Sequence, residues 1–266
     1  MAGEITLTGI VLGSTPVGEY DRRLSLLTCE KGRISAFASG ARRQMSSLRA
    51  VSRLFTYAKF TVYPKRDSYS VTGCENPIFF DELSMDPDKS YHGMYFCELL
   101  SYFTRENTDE KEQVKLLFTA LKALQKGNMS LSLIRRVFEL RAIANYGEAP
   151  NIFECCNCHK KNEENEWLFD TRQGVIMCSS CRGKSSESQN SIPPFTSAGH
   201  LIPISETVRY TMHYCITARY KALFGFGLSA EVENCFSTTV EQYMKIRVDK
   251  PIKSLELLDV LGYNVK

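Results

Sequence analysis

The chain has no apolar run approaching the roughly 20 residues that a membrane-spanning helix needs. It opens Met1-Ala-Gly-Glu-Ile, without the basic stretch and apolar core of a secretory leader. A membrane protein and a secreted disulfide scaffold are thereby disfavoured, and a soluble, cytoplasmic chain is expected. Histidine is scarce: four in 266 residues, and His92, His159, His200 and His213 are far apart. No His-Glu-x-x-His occurs, nor the His-x-Glu before Pro-Cys-x-x-Cys of a nucleobase deaminase. Gly183-Lys184-Ser185 mimics the end of a P-loop, but Cys178 stands where the motif needs its first glycine. With enzymatic signatures missing, the chain reads as a binding protein without a small-molecule substrate.

What the chain does have is cysteine, ten residues of it. Cys155-x-x-Cys158 and Cys178-x-x-Cys181 are separated by residues 159–177, the spacing of a structural four-cysteine zinc site. A two-residue gap lets both sulfurs of a clip turn back onto one ion. Two clips fill a tetrahedron and leave no open position, so one structural Zn2+ is expected and metal-assisted hydrolysis is not. Cys156 and His159 have the same spacing and stand as an alternative first clip. Lys160, Lys161, Arg182 and Lys184 flank the clips, either offsetting thiolate charge or as ordinary solvated surface. Cys29, Cys74, Cys97, Cys156, Cys215 and Cys235 read as reduced small hydrophobes.

Net charge is only +3 but unevenly placed. Residues 1–80 hold eleven Lys/Arg against six Asp/Glu; the remainder holds twenty-two against twenty-four. The basic third reads as all-β: Ile5–Leu12, Arg23–Thr28, Arg33–Ala38, Tyr57–Tyr63 and Tyr69–Thr72 are short and mostly alternating. Turn residues at Thr15-Pro-Val-Gly18, Lys31-Gly32 and Pro64-Lys-Arg-Asp67 separate them. Five such strands fit a small OB-fold barrel, with an SH3-like barrel giving a similar string. Period two places Tyr57, Lys59, Thr61, Tyr63 and Lys65 on one face and Ala58, Phe60 and Val62 on the other. Rings for base stacking beside ammonium groups for phosphates suit a single-strand binder, although exposed tyrosine and lysine are also common on outward strand faces. The segment from Gly40 to Arg53 carries Arg42, Arg43, Arg49 and Arg53 and no acid, a candidate loop for tracking phosphates or a plain solvated loop.

From about residue 82 the period becomes helical. Tyr91–Tyr102, Val114–Leu124 and Leu133–Ala144 are apolar stripes, stopped by Gly127-Asn128 and by Gly147 with Pro150. Helical pattern resumes at Glu206–Leu223 and Ala230–Ile246, after a polar, Pro-terminated connector over 183–194. The expected class is α+β. A nucleic-acid-binding OB-fold barrel occupies 1–80, a helical domain begins over 81–150, a four-cysteine zinc module is inserted at 151–185, and 186–266 holds the connector and the second helical part.

Gly9-Ile-Val-Leu12, Gly18-Glu-Tyr-Asp21-Arg22, Thr28-x-x-x-Gly32-Arg-Ile-Ser35 and Gly40-Ala-Arg42-Arg43 are followed by Arg136-x-Phe-Glu-Leu-Arg141, Gly147-x-x-Pro150, Arg209-Tyr210, Phe224-Gly-Phe226 and Lys253-Ser254-Leu255. In this order, around a mid-chain zinc module, the chain resembles the RecO family of bacterial recombination mediators. The resemblance covers the whole length; His159 departs from it, standing where the family usually has glycine, and so does the unusually aromatic stretch around Tyr91–Tyr102. It implies a cytoplasmic, nucleoid-associated DNA-repair and recombination protein with no catalytic cycle. It implies binding of single- and double-stranded DNA, annealing of complementary strands coated with single-strand-binding protein (SSB), docking of the acidic SSB tail, and RecA loading together with RecR. Arg22, Arg23, Arg42, Arg43, Arg49, Arg53, Tyr57, Lys59, Tyr63 and Lys65 are the candidate DNA residues, Arg22 having Asp21 or Glu19 as alternative partners. Arg135, Arg136 and Arg141 are candidates for the SSB tail, with ordinary solvated helix charge the expected role of at least one. A zinc-ribbon scaffold that bridges proteins without touching DNA is the alternative.

Overall fold

The computed structural model describes residues 3–161, 166–182 and 200–260, so the expected connector lies outside the described residues. The chain forms two compact units. One comprises the chain up to Leu131 plus the segment from Ile252; the other spans Ser132–Pro251.

The first unit is built on a closed barrel of β1 (Ile5–Val17), β2 (Asp21–Thr28), β3 (Gly32–Ala38), β4 (Tyr57–Pro64) and β5 (Tyr69–Ile78), in the order β1-β2-β3-β5-β4. β1 pairs with β4 through Ile5–Ile10 and with β2 from Gly9 onward, and a register shift between Val11 and Gly13 bends it from one partner to the other. The parallel β3–β5 pairing and the short α1 (Leu48–Val51) between β3 and β4 complete an OB-type barrel. Leu7, Val11, Leu24, Leu26, Ile34, Phe60, Val62 and Val71 fill its interior. The alternation read from β4 holds: Ala58, Phe60 and Val62 are buried, while Lys59 and Tyr63 are exposed.

One turn differs from its expected place. Thr15, Pro16 and Val17 are strand, paired with Arg23, Arg22 and Asp21, and the reversal is at Gly18, whose φ is +57°. This half of β1 pairs with β2 alone, an edge position of the kind where proline is tolerated.

The helices α2 (Asp81–Met85), α3 (Pro87–Phe103) and α4 (Lys111–Lys126) pack beside the barrel. Asp86 caps α3 by accepting the Asp88 and Lys89 N–H groups, with Pro87 at the first helical position. The aromatic stretch is core only in part: Tyr95, Phe96, Leu99 and Phe103 are buried, Tyr91 and Tyr102 are half-buried, and Met94 is exposed. Phe55, held at φ +67°, seats its ring where a Cβ on Gly93 of α3 would come within 2.7 Å. The α3–α4 loop is stitched to the β2–β3 hairpin. The Arg33 N–H donates to Arg105 O (2.9 Å), and the Asn107 N–H donates to Lys31 O (2.9 Å). Gly32 is required here: its φ is +65°, and a Cβ would lie 2.0 Å from Arg105 O.

The second unit holds α5 (Leu131–Tyr146), β6 (Asn151–Cys155), β7 (Trp167–Asp170), β8 (Val175–Met177), α6 (Ser179–Arg182), β9 (Leu201–Ile204), α7 (Glu206–Thr217), α8 (Tyr220–Leu223) and α9 (Ala230–Arg247). Its sheet runs β6-β8-β7-β9. Trp167, Phe138, Phe169, Phe236 and Tyr243 are fully buried. The single helix expected over 206–223 is two, because Ala218 and Arg219 are extended (ψ 148° and 143°). Among the described residues, no helix is long and apolar enough to cross a membrane.

α10 (Lys253–Val260) returns to the first unit and lies on α3. Glu98 caps it: its carboxylate accepts the Lys253 N–H (2.9 Å), the Ser254 N–H (2.9 Å) and the Ser254 hydroxyl (2.6 Å). Burial works against ionisation of Glu98, but these donors outweigh it and hold the carboxyl below the usual glutamate range. A depressed pKa in the folded state stabilises above the ordinary glutamate value and is lost as pH falls through the depressed one. Glu98→Ala is expected to destabilise by ~1 kcal/mol, as for other lost N-caps, and to speed amide exchange in α10 at pH 7. The difference from wild type shrinks in acid.

Candidate nucleic-acid interface and metal centre

Two sequence motifs far apart in the barrel fold onto each other. The Gly40 N–H donates to Asp21 Oδ1 (2.7 Å), the Arg42 N–H to Tyr20 O (2.8 Å), and Arg42 Nη1 to Gly18 O (3.0 Å). The Arg43 guanidinium lies over the Tyr20 ring, 4.9 Å from its centroid. The β1–β2 turn and the segment after β3 thus form one exposed basic-aromatic surface, with Tyr20 45% exposed. Tyr20 carried no role in the sequence, and Asp21 stood there only as an alternative partner of Arg22. Asp21 is used by Gly40, and Arg22 instead donates to Ser14 Oγ (3.0 Å).

Other candidate DNA residues are placed as follows. Arg23 is exposed and donates from Nε to Ser35 Oγ (2.9 Å). Arg49, Lys59 and Lys65 are exposed, and none of the three has an ion pair among the described residues. Tyr63 is 39% exposed. Arg53 pairs with Asp81 (2.9 Å) and stacks over Phe79. Tyr57 is half-buried against Phe118 of α4, ring centroids 4.8 Å apart, and burial with Cys29 and Glu30 nearby pushes its phenol above the usual range. Its ring serves packing between strand and helix, unlike the open ring of Tyr63.

Arg135 and Arg136 of α5 are inside the fold rather than on its surface, and Arg141 is half-buried. Arg135 and Arg136 are each 3% exposed. Arg135 donates to Glu139 (2.9 Å); Arg136 donates to Glu139 (2.9 Å) and to Glu241 of α9 (2.5 Å). Arg141 donates to the carbonyls of Cys215 and Ile216 and lies over the Tyr220 ring. Freeing Arg135 or Arg136 for a tail carboxylate leaves a buried glutamate uncompensated, at a cost of roughly 3–5 kcal/mol. The i, i+4 and i, i+3 spacings to Glu139 were the available signal that these charges pair internally.

The four clip cysteines converge. Their sulfurs all lie within 4.8 Å of one another, and Cys158 Sγ is 3.6 Å from Cys178 Sγ, far beyond a disulfide. Tetrahedral Zn–S bonds of about 2.3 Å require S···S edges of about 3.8 Å, so the donor set fits a four-thiolate metal ion. The fold builds it by pairing β6 with β8, Cys155 opposite Ile176. The Cys156 N–H donates to Ile176 O (2.8 Å), and the Cys178 N–H donates to Cys155 Sγ (3.4 Å). Burial opposes ionisation of Cys155, but backbone N–H donors outweigh it and bring the thiol down to about 6. Arg209 braces the same region, donating to Ile152 O (3.0 Å) and lying over Trp167, whose Nε1 donates to Glu206 (2.6 Å).

Neither residue of the alternative clip, Cys156 or His159, belongs to this sulfur cluster, and His159 Nδ1 is 2.8 Å from Glu154 Oε1 on an exposed ring. His159 has φ +58°, a conformation glycine adopts freely and other residues at a cost of roughly 1–2 kcal/mol. That is the physical reason glycine suits this position, and histidine here carries the strain. His159→Gly is therefore expected to slow metal loss to a chelator, followed with a colorimetric indicator, whereas Cys178→Ser abolishes stoichiometric metal and lowers the melting temperature.

Residues 1–76 match the family model described as Recombination protein O N terminal, and residues 84–256 match Recombination protein O C terminal. The chain is 32% identical over 254 residues to the DNA repair protein RecO of Alkaliphilus metalliredigens, covering 95% of this chain and 98% of that protein. It is 26% identical over 254 residues to the DNA repair protein RecO of Acetivibrio thermocellus, covering 96% of each.

Proposed function

The chain belongs to the RecO family of DNA-repair and recombination proteins, and from that membership we propose that it binds single- and double-stranded DNA and anneals complementary SSB-coated strands. With RecR it helps load RecA onto the same DNA, acting as a mediator without a catalytic cycle in the cytoplasm, at the nucleoid.

The observation that carries this reading is the basic surface of the barrel. Arg42 and Arg43 are braced against the Gly18–Tyr20 turn, and Arg23, Arg49, Lys59 and Lys65 are exposed on the same small domain. Guanidinium and ammonium groups held this way meet phosphate oxygens without reading bases, and annealing needs only sequence-independent grip on strands. The four-thiolate cluster holds one Zn2+ in a closed coordination shell. Its role is to fix the β6 and β8 ends, not to activate water. SSB docks through its tail on apolar surface flanked by cations; the internal engagement of Arg135, Arg136 and Arg141 argues that other cations meet its carboxylates.

The test is a salt titration of binding to a fluorescent oligonucleotide, read by anisotropy. Affinity is expected to fall steeply with salt. Arg49→Ala and Lys65→Ala each flatten the log–log slope by about 0.7 on single strands. Salt-insensitive or absent binding by folded, metal-loaded protein favours the bridging scaffold instead.

A further inference from the structure

A groove of about 440 Å³ is lined by the outer faces of β1, β2 and β3 and by the loop between α3 and α4. Three arginines reach it from three places in the sequence: Arg23 on β2, Arg33 on β3 and Arg105 on the loop. All three are exposed, and none has a carboxylate partner among the described residues. Two are oriented by neutral groups: Arg23 Nε donates to Ser35 Oγ (2.9 Å) and Arg33 Nε donates to Thr104 O (3.3 Å). These contacts fix each guanidinium without neutralising it.

The position of Arg105 is not accidental to a mobile loop. Its carbonyl accepts the Arg33 N–H, and Gly32 lets the two backbones close to a distance at which a Cβ does not fit. Glu106 forms a bridge with Gly32 and also lines the groove as its one carboxylate against three guanidinium groups, with the Tyr69 phenol nearby. The remaining lining includes the hydroxyls of Thr15, Ser25 and Ser35 and no aromatic ring. Fixed guanidinium forks beside hydroxyls match phosphate oxygens, and the lack of a ring leaves nothing for a base to stack on.

We propose that this groove seats the sugar-phosphate backbone of a DNA strand, with Arg33 and Arg105 as contact residues beside Arg23. The inference rests on the DNA-binding reading above and adds to it. The barrel does not hold DNA alone, because the loop from the helical layer supplies one of the three phosphate contacts. Contact through backbone only means that the groove is indifferent to base identity and to base presence.

The experiment is a salt titration of anisotropy on oligo-dT and on an abasic oligomer of equal length. It compares wild type with Arg33→Ala, Arg105→Ala, Arg105→Lys and the surface reference Lys65→Ala, each checked for an unchanged melting temperature. Each alanine variant at 33 or 105 is expected to lower the slope by about 0.7, equally on both oligomers, while Arg105→Lys keeps the wild-type slope. If Lys65→Ala flattens the slope while Arg33→Ala and Arg105→Ala leave it unchanged, DNA binding stands and the groove is wrong. A decrement seen on oligo-dT but not on the abasic oligomer overturns the backbone-only assignment. No binding by wild type defeats groove and DNA reading together.

Discussion

Closure of the barrel by β1 is the constraint on which the exposed basic face depends. One strand must satisfy β4 along its first half and β2 along its second, and the register shift between Val11 and Gly13 lets it do both. Because side chains alternate with period two, that pairing fixes which residues fill the interior and which face out. Leu24 and Leu26 go in with Ile34, Phe60 and Val62; Arg23, Arg33, Lys59 and Tyr63 are left outside. A slip of one residue would bury the cations and expose the core, so the charge pattern of the surface is enforced by the packing beneath it. Gly9 shows how close the approach is, since a Cβ there would lie 2.4 Å from Leu27 O.

The second unit divides its cations differently. Arg135, Arg136, Arg141 and Arg209 are used by the fold, pairing Glu139, Glu241 and Glu206 or donating to carbonyls. Such buried pairs contribute less net stability than their short distances suggest, but removing one partner is expensive. Their effect is to hold α5 to its neighbours α7 and α9, and through Arg209 to position the strand that ends at Cys155. The metal cluster and the arginine network therefore serve the same small sheet from two sides of its chemistry: thiolates at one strand end, guanidinium clamps along α5 and α7.

Much of this was legible in the sequence because periodicity and spacing are local properties. The five barrel strands follow from alternation, and the four-cysteine cluster from two Cys-x-x-Cys clips. The helices α3, α4, α5 and α9 follow from apolar stripes with Gly127 and Gly147 as stops. What was not legible depends on partners remote in sequence. Nothing near Tyr57 announces Phe118, so a ring that packs against α4 looked like a stacking platform. Nothing near Lys253 announces Glu98, 155 residues earlier, which caps α10. The short strands β7 to β9 lack enough length to show a period, and Arg105 gains its place through a carbonyl bond to a distant strand.

The central claim is that this chain brings complementary strands together while they carry SSB. The most direct test is ATP-free annealing of two complementary oligonucleotides, each already coated with cognate SSB, with and without the last residues of SSB. The account predicts annealing of coated strands that is lost when the tail is removed. Failure of folded, metal-loaded protein to anneal either coated or bare strands would contradict it.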